Sequence, residues 1–116
     1  MALRKFVSKI SKSNEDFDRE KLAAFCGGIG VTPIADVHER EQVRTGGEIG
    51  ALRIVPRSGA PALEVIVSDG KLNLTAVFLG RRKIRGMTPG RKVAVEGTVL
   101  RDGNRLLMLN PAYELY

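Results

Sequence analysis

The sequence predicts a mainly β fold, a five-stranded barrel preceded by a short helical extension. From residue 42 onward, short segments of alternating apolar and polar residues are separated by turn-forming pairs such as Asp69-Gly70 and Asp102-Gly103. The first of these segments is unusually long and contains Gly46-Gly47 and Gly50, which permit a bulge and the sharp coiling of a barrel corner. The length of 116 residues suits one domain.

The extension begins with a basic, partly apolar segment. Residues 1–12 carry four basic side chains and no acidic one, and their apolar positions fit one helical face, which makes the segment a candidate for docking on the barrel or on a second copy. Ser13 followed by Asp16 is typical of a helix N-cap with an acidic residue in the first turn. We therefore expect a helix from Ser13 to about Phe25.

A glycine-rich stretch, Cys26 to Gly30, follows the helix. It has neither the Gly-Lys-Ser/Thr sequence of a phosphate-binding loop nor the strand–turn–helix context of a dinucleotide site. We therefore interpret it as a hinge or linker. This interpretation divides the chain into an extension over residues 1–31 and a barrel over residues 32–116.

Five strands are predicted from the alternation of apolar residues and from the turns between them. The connection between the third and fourth strands, residues 81–90, is basic and ends in Thr88-Pro89-Gly90. Asn110-Pro111 ends the fifth strand, after which Tyr113 and Leu115 are expected to cover the end of the barrel. The predicted strands are 42–55, 63–68, 72–78, 93–99 and 105–109.

This order of elements is typical of an OB-fold, a five-stranded Greek-key barrel that binds ligands on strands 2 and 3 between the loops joining strands 1–2 and 4–5. An SH3-like barrel is the structural alternative, but its strands are usually shorter and it lacks a long coiled opening strand. We favour the OB-fold.

Four segments of the chain resemble the OB-fold wedge domain of RecG-type helicases. They are Ser68-Asp69-Gly70, Leu74 to Phe78, Pro89 to Val99 and Met108 to Glu114, and the similarity extends over roughly residues 33–116. The resemblance implies a nucleic-acid-binding OB domain. It does not extend to a helicase motor, because the sequence has no Gly-Lys-Ser/Thr loop.

The chain departs from the family pattern at two places. Leu72 stands where the family often has a second glycine, and Phe78-Leu79-Gly80-Arg81 replaces the paired aromatic and amide residues after the third strand. Aromatic stacking contributes about 1–3 kcal/mol per base in proteins that bind single strands. Since Phe78 alternates with core positions, we expect little base stacking and a greater share of phosphate contacts.

The basic charge is concentrated in the barrel. The chain has a net charge of +6, and residues 46–116 hold 11 basic and 6 acidic side chains. Such a charge attracts polyanions, although it also serves solubility. The candidate groove residues are Arg53, Arg57, Lys71, Asn73, Thr75, Arg101 and Arg105. The basic connection adds Arg81, Arg82, Lys83 and Arg85 as candidate phosphate ligands. Glu64 would repel phosphate if it pointed into the groove.

An enzymatic function is not expected. His38 lies among charged residues and is interpreted as an exposed surface histidine, while Cys26 has no basic partner nearby in the sequence. No Cys/His cluster has metal-ligand spacing, so we expect no metal, no cofactor and no catalytic residue. The single cysteine fits a reducing, cytoplasmic location, and no apolar stretch approaches the about 20 residues of a membrane helix.

These observations favour a non-catalytic protein that binds single-stranded or branched DNA, or RNA, through phosphate contacts with little sequence specificity. The alternative is a module for protein interaction or self-association that does not bind nucleic acid. Its contact surface would be the N-terminal extension or a sheet face containing Ile66 and Val77, which both lie on the less buried side of the predicted strands.

Overall fold

The computed structural model describes residues 17–116, and its fold is mainly β, as predicted. Residues 17–29 are helical (α1), and a short 3-10 turn at Ile34–Asp36 precedes the sheet. Within the described residues, no helix has the length and apolar character needed to cross a bilayer. The strands are β1 Gln42–Arg57, β2 Ala60–Ser68, β3 Asn73–Leu79, β4 Lys92–Thr98, β5 Leu100–Asp102, β6 Arg105–Leu109 and β7 Ala112–Leu115.

The strands form one sheet in the order β5-β6-β3-β2-β1-β4-β7. All neighbours are antiparallel except β3 and β6, which run parallel. The hydrogen-bonded order has two ends, β5 and β7, so the strand ladder does not close on itself. The sheet therefore has seven strands where the sequence predicted five.

The predicted fourth strand is divided at Val99. Val99 donates its backbone N–H to the carbonyl of Glu41 at 2.9 Å and accepts a hydrogen bond from the backbone N–H of Arg40 at 2.6 Å. These bonds go to the segment before β1, so the chain bends there, and β4 pairs with β1 while β5 pairs with β6. Val99 is thus the single residue that connects β4 to β5, and β5 lies at one end of the strand order.

The second strand that the sequence did not predict is β7. Its residues Tyr113 and Leu115 were expected only to cover the end of the barrel. It pairs antiparallel with β4 from Val93, opposite Leu115, to Glu96, opposite Ala112. Leu115 packs against the main core, whereas the Tyr113 side chain stays 43% exposed.

Glycines let β1 bend between its two partner strands. A Cβ atom at Gly46 would lie 2.8 Å from the carbonyl oxygen of Val93, and one at Gly47 would meet the carbonyl of Ser68. The register with β2 shifts between Ile49 and Ala51, at Gly50. The predicted bulge in the first strand is therefore present, at one of its three glycines.

The main core lies on one face of the sheet and is completed by the connection between β3 and β4. Leu63, Val65 and Val67 of β2 point into it, and Ile84 and Met87 of the connection are also buried there. These two apolar side chains hold the basic connection against the sheet.

A smaller apolar cluster covers the opposite face, and it corrects the predicted Ile66/Val77 contact surface. Val77 is fully buried with Ala62 and Leu107, and Leu100 packs against them. The β5–β6 hairpin supplies this cover, so Val77 cannot belong to an exposed partner surface. Ile66 remains partly exposed.

Most of the stretch from Cys26 to Gly30, which the sequence predicted to be a hinge or linker, is helical, because α1 continues to residue 29 and ends at Gly30, whose φ is +70°. Leu22 is buried, and the Phe25 ring meets the Tyr116 ring edge-on at 5.1 Å, so α1 packs on the sheet. The predicted helix start at Ser13 and the basic segment 1–12 lie outside the described residues.

Candidate nucleic-acid interface

A groove of about 450 Å³ lies on the face of β1, β2 and β3 beside the β5–β6 hairpin. It brings together part of the predicted set, namely Arg53, Asn73, Thr75, Arg101 and Arg105. The remaining lining residues, which the sequence did not predict to lie in the groove, are Ile66, Leu72, Asn104 and Leu106. This cavity is the candidate interface, and we call it the arginine groove.

Strand register explains why Arg53, Thr75 and Arg105 share one face of the sheet. Arg53 lies opposite Glu64, Ile66 opposite Thr75, and Thr75 opposite Leu107. Because side chains alternate between the faces of a strand, Arg105, two residues before Leu107, shares its face. Arg101 is paired with Leu106 and so lies on the other face of the hairpin from Arg105, but it borders the same cavity.

Glu64 anchors two of the groove arginines. It is only 1% exposed, and its Oε1 accepts hydrogen bonds from Arg53 Nε at 2.8 Å and from Arg105 Nη1 at 3.1 Å. Arg53 Nη2 also lies 2.8 Å from the same oxygen. Glu64 therefore orients guanidinium groups from β1 and β6, whereas the sequence had indicated only that it would repel phosphate if it pointed into the groove.

The acidity of Glu64 reflects two opposing effects. Burial raises the pKa of its carboxyl group, but the hydrogen bonds and positive charges of Arg53 and Arg105 outweigh that effect and hold the pKa below its ordinary value. The carboxylate is therefore charged at neutral pH.

Arg105 and Arg101 differ in how much of their charge is already paired. Arg105 also donates Nη2 to Asp102 at 3.2 Å, and the hydrogen bonds to Asp102 and then Glu64 raise its pKa. Arg101 is exposed and forms no ion pair with any residue in 17–116. Of the three, Arg101 has its full charge available to a ligand.

Two predicted groove residues lie elsewhere. Arg57, at the tip of the β1–β2 hairpin, lines a separate cavity of about 480 Å³ with Leu79 and Leu109. It is four residues along β1 from Arg53, or roughly 13 Å at the rise of an extended strand. Arg57 therefore does not line the groove of Arg101 and Arg105, although the sequence predicted that it would.

Lys71 lines a cavity of about 250 Å³ between α1 and the sheet. The turn carrying Lys71 is held there by Asp69, whose Oδ1 accepts the Lys71 backbone N–H at 3.0 Å and whose Oδ2 accepts the Ile34 backbone N–H at 3.2 Å. Cys26 lines the same cavity, and burial, followed by the negative charge of Asp69, raises the pKa of its thiol.

The basic connection forms a surface of its own. Arg82 and Lys83 line a cavity of about 390 Å³ against β1 and β2, while Arg81 and Arg85 are exposed and line none of the four cavities described here. Arg53 lines both this cavity and the arginine groove, so the two surfaces adjoin at that residue.

No aromatic residue within 17–116 lines the arginine groove. Phe78 is 5% exposed and belongs to the core, as the alternation predicted. Tyr113 meets Phe78 edge-on at 5.7 Å, and Tyr116 contacts Phe25. Phe78, Tyr113 and Tyr116 thus all lie outside the groove.

Comparison with protein-family models and with curated proteins finds no match for this chain.

Proposed function

We propose that the chain is an OB-fold protein that binds single-stranded or branched nucleic acid through its phosphates in the arginine groove. The OB-fold assignment is supported by the β1-β2-β3 meander, the parallel β3–β6 pair and the bend at Val99 that connects β4 to β5. In such a barrel the groove would lie on the ligand-binding strands, beside the hairpin between the last two strands.

The convergence of Arg53, Arg101 and Arg105 in one open cavity carries this proposal. Guanidinium groups donate paired hydrogen bonds to phosphate oxygens, and Asn73, nearby in the same groove, adds an amide donor. The charge balance supports a polyanion, because these three cations face only Glu64 and Asp102 as ion-pair partners within the described residues.

The composition of the groove favours weak sequence preference. No residue within 17–116 that lines the groove is aromatic, so none can stack on a base. Phosphate contacts carry no information about the base sequence. The proposal includes a non-catalytic role without a cofactor and a cytoplasmic location, in keeping with the single cysteine. The division into an extension at 1–31 and a barrel at 32–116 remains a prediction.

The test is a fluorescence anisotropy titration of the full chain with a labelled oligothymidine strand at low and moderate salt. We expect binding that weakens steeply with salt, because phosphate contacts release counterions. A hairpin with a single-stranded branch and an oligouridine strand then compare structure and sugar type.

The variant Arg101→Ala with Arg105→Ala should weaken oligothymidine binding by about tenfold or more and flatten its salt dependence. The matched control, Lys21→Ala with Arg91→Ala, removes the same charge from residues that do not line the groove. Equal losses in both double variants would show diffuse attraction without a groove. Absence of binding by the native chain at low salt would overturn the proposal.

A further inference from the structure

A second surface joins an apolar floor to a basic rim. The cavity beside the basic connection is lined by Leu52, Ile54, Leu63, Ile84 and Met87, together with Arg53, Arg82 and Lys83. It lies between the core-facing side of the β1–β2 hairpin and the connection from β3 to β4. We call it the connector cleft.

The floor of the connector cleft is incompletely covered. Leu63, Ile84 and Met87 are at most 5% exposed, but Ile54 is 53% exposed. Ile54 is on the core-facing side of β1 by alternation from Leu52, which packs against the main core. A core-facing isoleucine left half in water indicates a position where a further apolar group would gain buried contact.

The rim of the cleft is strongly basic. Arg82 and Lys83, which line it, and the neighbouring Arg81 and Arg85 are exposed, and none of the four forms an ion pair with residues 17–116. The sequence contains no acidic residue between Asp69 and Glu96. The positive charge of the rim is therefore not neutralised by neighbouring side chains along this segment, which favours an acidic occupant.

The backbone beside the cleft also has an unpartnered edge. The pairing of β1 with β4 ends at Glu48, and the last backbone bonds on that side join Ile49 to Gly90 and Arg91. From Gly50 to Arg57 the described structure has a strand only on the β2 side. An unpaired strand edge is a template for an added extended segment, although Pro56 shortens it.

We propose that the connector cleft binds an extended acidic segment of a partner protein that carries alternating aliphatic side chains. The aliphatic groups would cover Ile54 and Leu52, and the carboxylates would pair with Arg82 and Lys83. A peptide fits better than a nucleic acid because the floor is aliphatic and the strand edge offers backbone hydrogen bonds. This inference does not rest on the proposed nucleic-acid function, since the cleft and the groove share only Arg53.

The test uses a short labelled peptide in which glutamate alternates with leucine, titrated into the full chain by fluorescence anisotropy. In an extended peptide this alternation places all leucines on one face. Two control peptides replace the leucines with serine or the glutamates with lysine. We expect the Glu/Leu peptide to bind and both controls to bind at least about tenfold more weakly, since each lacks one half of the recognition.

Two variants locate the site. Ile54→Ser removes an exposed apolar contact, and Arg82→Ala with Lys83→Ala removes rim charge, and each should weaken peptide binding by about tenfold. Arg101→Ala, in the arginine groove, should leave peptide affinity unchanged, and thermal unfolding checks that each variant is folded.

The inference is overturned if the Glu/Leu peptide does not bind, if the serine peptide binds equally well, or if Ile54→Ser leaves its affinity unchanged. It is also overturned if Arg82→Ala with Lys83→Ala weakens oligothymidine binding and leaves peptide binding unchanged, because the rim would then belong to the nucleic-acid interface. Failure of oligothymidine binding alone would leave the peptide result intact and would count only against the proposed function.

Discussion

Arg105 donates a hydrogen bond to the buried carboxylate of Glu64 at 3.1 Å, although the two residues are 41 positions apart in the chain. Arg53 reaches the same oxygen from the neighbouring strand. Burying a carboxylate costs free energy unless positively charged partners compensate it. The folded state therefore depends on the contacts of Glu64 with these two arginines. Glu64 consequently couples the stability of the sheet to the arrangement of the arginine groove.

Replacing Glu64→Gln should reduce the free energy of unfolding by about 1–3 kcal/mol, because the neutral amide leaves two guanidinium groups without their carboxylate. Urea denaturation followed by circular dichroism measures this change. The matched control is Glu114→Gln, which breaks the exposed ion pair with Arg44 and should cost less than about 1 kcal/mol. Similar losses in the two variants would contradict a special role for the buried carboxylate.

The pH dependence of stability should differ between the native chain and Glu64→Gln. The pKa of Glu64 is lowered in the folded state, so its stabilising contribution is complete above the unfolded pKa of about 4.3 and is lost as pH falls through the folded pKa. The stability gap between the two proteins should therefore be constant above about pH 5 and narrow in more acidic buffer. Urea denaturation over an acidic pH series measures the gap. A gap that widens on acidification would contradict this assignment.

Part of the fold was predictable because alternation is a local signal. Leu63, Val65 and Val67 alternate along the predicted second strand and point into the main core, and β6 has the bounds of the predicted fifth strand. The division at Val99 was not predictable, because it depends on backbone bonds to Arg40 and Glu41 that no local pattern reveals. The burial of Val77 was missed for a similar reason, since its cover comes from the β5–β6 hairpin.

The candidate site could be predicted only as far as the strands and turns that carry its residues could be predicted. Arg101 and Arg105 flank a turn that the Asp102-Gly103 pair predicts, and both line the groove. Lys71 was misplaced because Asp69 fixes its turn close to Ile34, on the α1 side of the sheet. Asn104 had a weak signal, its place in the same turn as Gly103, which could have identified it.

Arg101→Ala should weaken binding of a labelled oligothymidine strand more than Arg57→Ala does. Arg101 lines the arginine groove, is exposed and has no ion-pair partner within residues 17–116, whereas Arg57 lines a separate cavity at the hairpin tip. We expect a several-fold loss and a salt slope reduced by about 1 for Arg101→Ala. Anisotropy titrations at several salt concentrations measure both quantities. A larger loss for Arg57→Ala would place the main contact at the hairpin tip.

Leu107→Ala and Leu109→Ala form a matched pair on one face of β6. Leu107 is 4% exposed within the small cluster that buries Val77, and Leu109 is 38% exposed. The first substitution should cost about 2–5 kcal/mol of unfolding free energy, because it opens a cavity, and the second markedly less. Urea denaturation of both variants measures the difference. Equal costs would show that the hairpin does not seal this face.

Gly47→Ala should destabilise the chain far more than Gly50→Ala, although both glycines lie in β1. A Cβ atom at Gly47 would collide with the backbone carbonyl of Ser68, which cannot move without disturbing the β1–β2 pairing. At Gly50 the nearest atom to an added Cβ, the carbonyl oxygen of Ile66, is at an ordinary contact distance of 3.9 Å. We expect Gly50→Ala to stay within about 1 kcal/mol of the native chain and Gly47→Ala to lose several. Thermal and urea unfolding of the two variants compare them directly, and a well-folded Gly47→Ala protein would contradict the close approach of β1 to the end of β2.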